Sequence, residues 1–233
     1  MRIRDLCKDY EVAGRKIQVL DHLNLDVDDY GITVVLGRSG CGKTTLLRLA
    51  AGLEKADNGT VEMGSQGEKG DSPPRTLKTG VIFQEPRLMP WLTIGDNILF
   101  GTGKKMRGKK KNGSTLDRLL ELTKLQGFED AYPSQLSGGM QQRAALARAL
   151  AYEPDYLLMD EPFAALDYFT RAQMQKELLR IHQVEQKGIL FVTHSIDEAL
   201  VIGKKVVILE GGGCNMEYEL GEIPKFTHII SII

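Results

Sequence analysis

Ile32-Thr33-Val34-Val35-Leu36-Gly37-Arg38-Ser39-Gly40-Cys41-Gly42-Lys43-Thr44-Thr45 is the stretch from which the rest of the chain can be read. Its first five residues are a short run rich in β-branched side chains, and the TTLLRLAAGL that begins at Thr44 has helical composition, so a strand feeds a helix through a glycine-rich turn. The turn matches GxxxxGK[ST], and it lies in the strand-to-helix context that gives the motif its meaning. Gly37, Gly40 and Gly42 let the backbone wrap an anion. The N–H groups of the loop, through Arg38, Ser39, Gly40, Cys41 and Gly42, and the helix N-terminus then converge on a triphosphate. Lys43 supplies a point charge to the β- and γ-phosphates, Thr44 a hydroxyl for Mg²⁺, and Thr45 closes the nucleotide-binding set. This cradle does not say what the nucleotide is for, because kinases, GTPases, helicases and transporters share it.

Working outward, similar apolar runs bounded by turn residues recur at 81–83, 156–159, 189–193 and 206–209, and each reads as a strand. Between them lie helical spacings such as Met174, Leu178 and Ile181, for which Gly188 is the expected C-terminal stop. Strands alternating with helices imply a mostly parallel sheet covered on both faces. Residues 85–151 break the alternation with helical signals alone: Leu116, Leu119 and Leu120 share a helix face, and 140–151 is rich in Ala, Leu and Arg before Pro154. The first thirty residues and the last twenty read as antiparallel strand material, including the alternation at 24–27. The expected fold is therefore α/β, a P-loop NTPase core of mostly parallel sheet with an antiparallel β subdomain and an inserted α-helical subdomain. One domain spans 1–233, with 1–84 and 152–233 as the nucleotide-binding core and 85–151 as the helical insertion.

The chain has 233 residues, with 30 Lys and Arg against 31 Asp and Glu, a net charge of −1, and 42% hydrophobic and 26% charged residues. Those proportions exclude disorder and binding to nucleic acid by bulk charge. Three cysteines without CxxC spacing indicate neither a disulfide framework nor a zinc site. No apolar run approaches the roughly 18 residues of a spanning helix, and the N-terminus has no signal-peptide pattern, so a chain that neither crosses a membrane nor is exported is expected. The cationic run KKMRGKKK at 104–111 reads as a solvated loop or as a contact for anionic lipid headgroups.

The run at 156–159 ends in Asp160 and Glu161. An acid at the end of a strand beside the cradle can hold Mg²⁺, the role expected of Asp160, while Glu161 points elsewhere and can polarise the attacking water. Leu136-Ser137-Gly138-Gly139-Met140-Gln141 opens the Ala-rich helix, with Ser137 as a good N-cap and two glycines leaving the helix N-terminus bare as a second anion-binding device. At this point the sequence resembles the ATP-binding cassette family, whose LSGGQ signature is matched with Met140 in the fifth position. The resemblance covers nearly the whole chain. It implies that the nucleotide is ATP, with Mg²⁺; that Gln84 is the Q-loop glutamine, a metal and water contact; that Ala165-Leu166-Asp167 is the D-loop; and that His194 is the switch histidine on the γ-phosphate. Tyr10 looks like the aromatic residue that stacks on adenine, although a lone tyrosine near an N-terminus is more often packing.

The same resemblance implies a homodimer in which Ser137, Gly138, Gly139 and Gln141 of one copy face the cradle and Lys43 of the other. Residues 84–94, with 160–167 and 191–200, look like the importer ATPases of the nitrate, sulfonate and taurine group. That likeness implies a transmembrane permease, an external solute-binding protein and a peripheral place on the cytoplasmic face of the cell membrane. Leu88, Met89 and Trp91 either receive the permease or pack the subdomain core. A soluble cassette ATPase unconnected with transport, and an exporter, remain alternative readings of the same motifs.

Overall fold

Side chains that alternate between the two faces of a strand decide which layer each face can hold. In the computed structural model, which describes residues 1–63, 78–102 and 115–219, the last six of these by backbone alone, the strand β1 (Arg2–Val12) turns through Ala13 and Gly14 into β2 (Arg15–Asp26). Both turn residues have positive φ, 51° and 74°, which suits the twist of a tight hairpin. There follow β3 (Ile32–Leu36), α1 (Lys43–Ala50), β4 (Asn58–Glu62), β5 (Thr79–Ile82), α2 (Ile94–Leu99), α3 (Thr115–Leu122) and α4 (Gly138–Ala151). The chain continues through β6 (Tyr156–Asp160), α5 (Tyr168–Glu185), β7 (Gly188–Thr193), α6 (Ile196–Ile202), β8 (Lys205–Glu210) and β9 (Gly213–Glu219).

Two sheets result. One is antiparallel in the order β2-β1-β4, and the other runs β5-β6-β7-β3-β8-β9, parallel except for β9, which pairs antiparallel with β8. Alternation sorts the larger sheet's faces: Val34, Leu157, Met159, Ile189 and Phe191 enter one core with α2 to α6, and Val35, Leu158, Leu190 and Val192 enter another with α1 and the antiparallel sheet. Residues 85–151 contribute no strand among the described residues, and their Ile94, Ile98, Leu119 and Leu146 share a core with Ile82, Met159 and Phe163. The helices are thus fastened to the sheet through common apolar packing.

Two expectations need correction. Gly188 does not stop α5, which ends at Glu185, with Gln186 in the left-handed region donating its N–H to the His182 carbonyl at 2.8 Å. Gly188 opens β7 because a Cβ there would lie 2.6 Å from the Tyr156 ring. The strand expected at 81–83 begins earlier, at Thr79, and releases Phe83. β4 carries no readable signal, having only Val61 to pack inward. The cationic run at 104–111 and residues 220–233 lie outside the described residues.

Candidate functional site

Three parallel strands end side by side, and backbone bonds stitch their ends together. Gly37 N–H reaches Thr193 O at 3.4 Å and Glu161 N–H reaches Val192 O at 2.9 Å, joining the exits of β3, β6 and β7. Ligands of open α/β sheets sit at such carboxyl ends. The turn out of β3 needs its glycines: Gly42 has a φ of 104°, and a Cβ on Gly37 would meet Leu209 O at 2.5 Å. Lys43, only 4% exposed, folds back so that Nζ donates to the carbonyls of Gly37 and Arg38, each at 2.8 Å. Its ammonium also lies 3.7 Å from Glu161 Oε1. Cys41 is half-buried inside the turn, and burial pushes its thiol up from the ordinary range.

Glu161 adopts a φ of 45°, a left-handed conformation that costs a non-glycine residue about 1–3 kcal/mol. The kink has a geometric result. Asp160 accepts a hydrogen bond from the Thr44 hydroxyl at 3.1 Å, whereas Glu161, one residue later, places Oε2 2.8 Å from His194 Nδ1 and Oε1 toward Lys43. Phe163 anchors the segment by packing on Phe191 of β7, with ring centroids 5.6 Å apart. Burial, reinforced by the adjacent Glu161 charge, pushes the Asp160 carboxyl above its usual range, while Thr44, Arg48 and Lys43 pull it back. A half-buried carboxylate beside a hydroxyl, short of compensating charge, is the hard-oxygen donor set that Mg²⁺ favours.

The other residues singled out from the sequence fall around this centre. Tyr10, on β1, donates its hydroxyl to Glu54 Oε1 at 2.7 Å and carries the Lys8 ammonium 5.3 Å from its ring centroid. Gln84 is exposed where the chain leaves β5, between Phe83, whose carbonyl accepts from Gln142, and Pro86, whose carbonyl accepts from Arg148. Ser137 caps α4 as expected, accepting from Met140 N–H at 3.4 Å. Gly138 and Gly139 lie against Leu166 and Thr170 of the same chain. Gln141 spends its amide nitrogen on the carbonyls of Pro133 and Leu136, and so fixes the turn in front of the helix. Asp167 is the N-cap of α5, accepting from Phe169 and Thr170 N–H at 3.1 Å.

The fold therefore brings Lys43, Thr44, Asp160, Glu161 and His194 together, and the bonds of Ser137 and Gln141 run to their own neighbours instead. Trp91 is 71% exposed, whereas Leu88 packs against the core, so the packing role holds for Leu88 and not for Trp91. Asn97 was missed. Fully buried, it accepts from Met89 N–H and donates to the carbonyls of Met89, Leu92 and Thr93, tying down the segment after Gln84. Its one clue was an amide inside an apolar helical run, which must find partners if buried.

Comparisons with known proteins identify the family. A family model described as ABC transporter matches residues 20–164. An uncharacterized ABC transporter ATP-binding protein of Methanocaldococcus jannaschii is 46% identical over 209 residues, 90% of this chain and 77% of that protein. An aliphatic sulfonates import ATP-binding protein of Bacillus cereus is 41% identical over 207 residues, 89% of this chain and 80% of its own. Among solved structures, a dimeric ATP-binding cassette in a post-hydrolysis state with ADP and phosphate superposes with a TM-score of 0.76 at 29% identity, covering 94% of this chain and 98% of that one. A cassette from Clostridium perfringens, at 23% identity and a TM-score of 0.79 over 99% of this chain and 92% of its own, shares the fold. By the family model and these relatives, and with the glycine-rich turn, the acid pair and the histidine at the carboxyl ends of central strands, the chain belongs to the ABC transporter family, as an ATPase.

Proposed function

We propose that this chain powers the import of a small solute of the nitrate, sulfonate or taurine kind, working as a pair of identical chains on the cytoplasmic face of a membrane permease that an external solute-binding protein supplies. The substrate class rests on one observation, the 41% identity over 207 residues to a protein named for aliphatic sulfonate import. Among the described residues no helix is long and apolar enough to cross a membrane. The exposed Trp91 beside Gln84 is the contact through which the permease is felt.

Within each site the turn at 37–42 and Lys43 hold the triphosphate of ATP, and Tyr10 stacks on the adenine once its ring is released from Lys8. Glu161, whose Oε2 lies 2.8 Å from His194 Nδ1, polarises the attacking water, and His194 contacts the γ-phosphate. Thr44, Asp160 and Gln84 would hold Mg²⁺, which would supply positive charge against the phosphates. Ser137, Gly138 and Gly139 of the partner close the site, presented by the turn that Gln141 fixes, while Asp167 orders the segment between the protomers. Residues 85–151 act as the signature-bearing part and 1–84 with 152–233 as the nucleotide-binding part of one cassette.

The test is purification with the permease from detergent extract, reconstitution in vesicles, and measurement of ATP hydrolysis with the solute-binding protein loaded with taurine, an alkanesulfonate or nitrate. Stimulation by one of these is expected. A complex that hydrolyses ATP but responds to none of them refutes the substrate class.

A further inference from the structure

Behind His194 lies an ionic joint, between a buried acid and a partly exposed arginine, to which neither motif nor comparison assigns a role. Glu198 of α6 is 4% exposed, and its Oε2 accepts from the Thr193 hydroxyl at 2.5 Å. The same hydroxyl accepts from Ser195 N–H at 3.0 Å, so the residues on both sides of His194 are clasped by one oxygen. Thr193 also offers its carbonyl to Gly37 N–H, which connects the clasp to the phosphate turn. The second carboxylate oxygen of Glu198 faces Arg171 Nε at 3.8 Å. That nitrogen is buried and has no hydrogen-bond partner among the described residues, while the same guanidinium donates through its other arm to Leu166 O at 3.1 Å. Leu166 precedes Asp167 and lies against Gly138, the opening of the signature helix.

We propose that Arg171 and Glu198 are positioning residues that couple the D-loop to the switch histidine. A buried carboxylate needs its counter-charge, and a guanidinium delivers several donors from one rigid plane. A movement of Leu166 by about 1 Å brings the 3.8 Å gap to the length of a charge-assisted hydrogen bond. Glu198 then pulls on the Thr193 hydroxyl, and the His194 ring turns relative to Glu161. A partner chain that presses on the D-loop thereby sets the geometry of the hydrolytic pair without touching either member. The inference rests on the assignment of Glu161 and His194 to hydrolysis.

The experiment uses the full chain with ATP and Mg²⁺ and compares Arg171→Met, Arg171→Lys, Glu198→Gln and His194→Ala, alone and combined. Arg171→Met should lower kcat about 10- to 100-fold, the scale of a small misplacement, with little change in KM. Arg171→Lys should recover part of that loss. Combined with His194→Ala, neither Arg171→Met nor Glu198→Gln should reduce kcat further, because both act through the histidine. Selective ¹⁵N-histidine labelling gives a readout besides activity, since the chain has four histidines. Arg171→Met should shift the His194 ring resonance and leave that of His22 in place. Unchanged kcat and ring shift in Arg171→Met, or losses that multiply in the His194→Ala background, overturn the joint. Full activity of His194→Ala itself would overturn the underlying assignment and leave a different signature.

Discussion

Two helix N-termini on this chain read from the sequence as anion-binding devices, and they are finished to different degrees. At α1 the turn is locked by three strand ends, Lys43 is buried, and Glu161 and His194 are already bonded to each other. At α4 the opening residues Ser137 and Gly138 are exposed, no lysine or acid stands beside them in the described contacts, and the neighbouring bonds serve only to hold the turn. The first N-terminus has a lysine, two acids and a histidine gathered beside it, and the second has no charged group in the described contacts. Such an arrangement makes sense if the donors serve another copy's phosphates, because placing them on a separate body lets charge stabilisation be withheld until two chains meet.

The comparison is broken most severely at Glu161. Glu161→Gln keeps the size of the side chain and a bond to His194 but removes the carboxylate, so hydrolysis should fall about 10²- to 10⁴-fold while ATP still binds. Sedimentation with ATP and Mg²⁺ should then show an accumulated dimer. A variant that binds ATP and stays wholly monomeric would show that the two devices do not meet.

A smaller effect is expected from Gly138→Ala, and it separates the two devices more sharply. Within the chain a Cβ at Gly138 finds only Leu166, at an ordinary contact distance of 3.7 Å, so folding and ATP binding by the isolated chain should be unchanged. If the bare backbone there is needed by the partner's phosphates, hydrolysis should still fall about 10-fold or more. Parallel measurement of thermal unfolding, ATP affinity and turnover decides this. An equal loss in all three would mean that the glycine serves its own chain.

The sequence made the first device far more legible than the second. Buried strands such as 32–36 and 189–193 announce themselves because both faces are covered, so every residue is apolar or β-branched. Lys43 and Thr44 were readable because the motif fixes backbone and side chain together. Glu161 was readable as a separate role, but its left-handed φ was not, since that strain comes from β7 gripping its N–H and Phe163 anchoring the next turn. Gly188 misled because glycine ends helices and also permits close approach, and only the position of the Tyr156 ring distinguishes the two. Asn97 and Glu198 were invisible for a related reason: a polar residue in a helix reads as surface until tertiary contacts enclose it.

The smallest effect concerns Asp160 and runs opposite to intuition. The folded chain keeps the Asp160 proton to higher pH than the unfolded chain does, because burial and the Glu161 charge disfavour the carboxylate. Stability is therefore lost as pH rises from the ordinary aspartate range through the raised folded value, and the deficit persists above it. Asp160→Asn removes that penalty while retaining an oxygen for the Thr44 hydroxyl. Without nucleotide or Mg²⁺ the variant should unfold at a higher temperature than the wild type near neutral pH, by less than about 1 kcal/mol given the partial exposure, and the two should converge in acid. Adding Mg²⁺ with ATP should reverse the order, because only the carboxylate gains from a cation. A variant less stable than the wild type at neutral pH without ligand would mean that Asp160 is held by its neighbours for structure, and that the acid pair is not kept under electrostatic tension for catalysis.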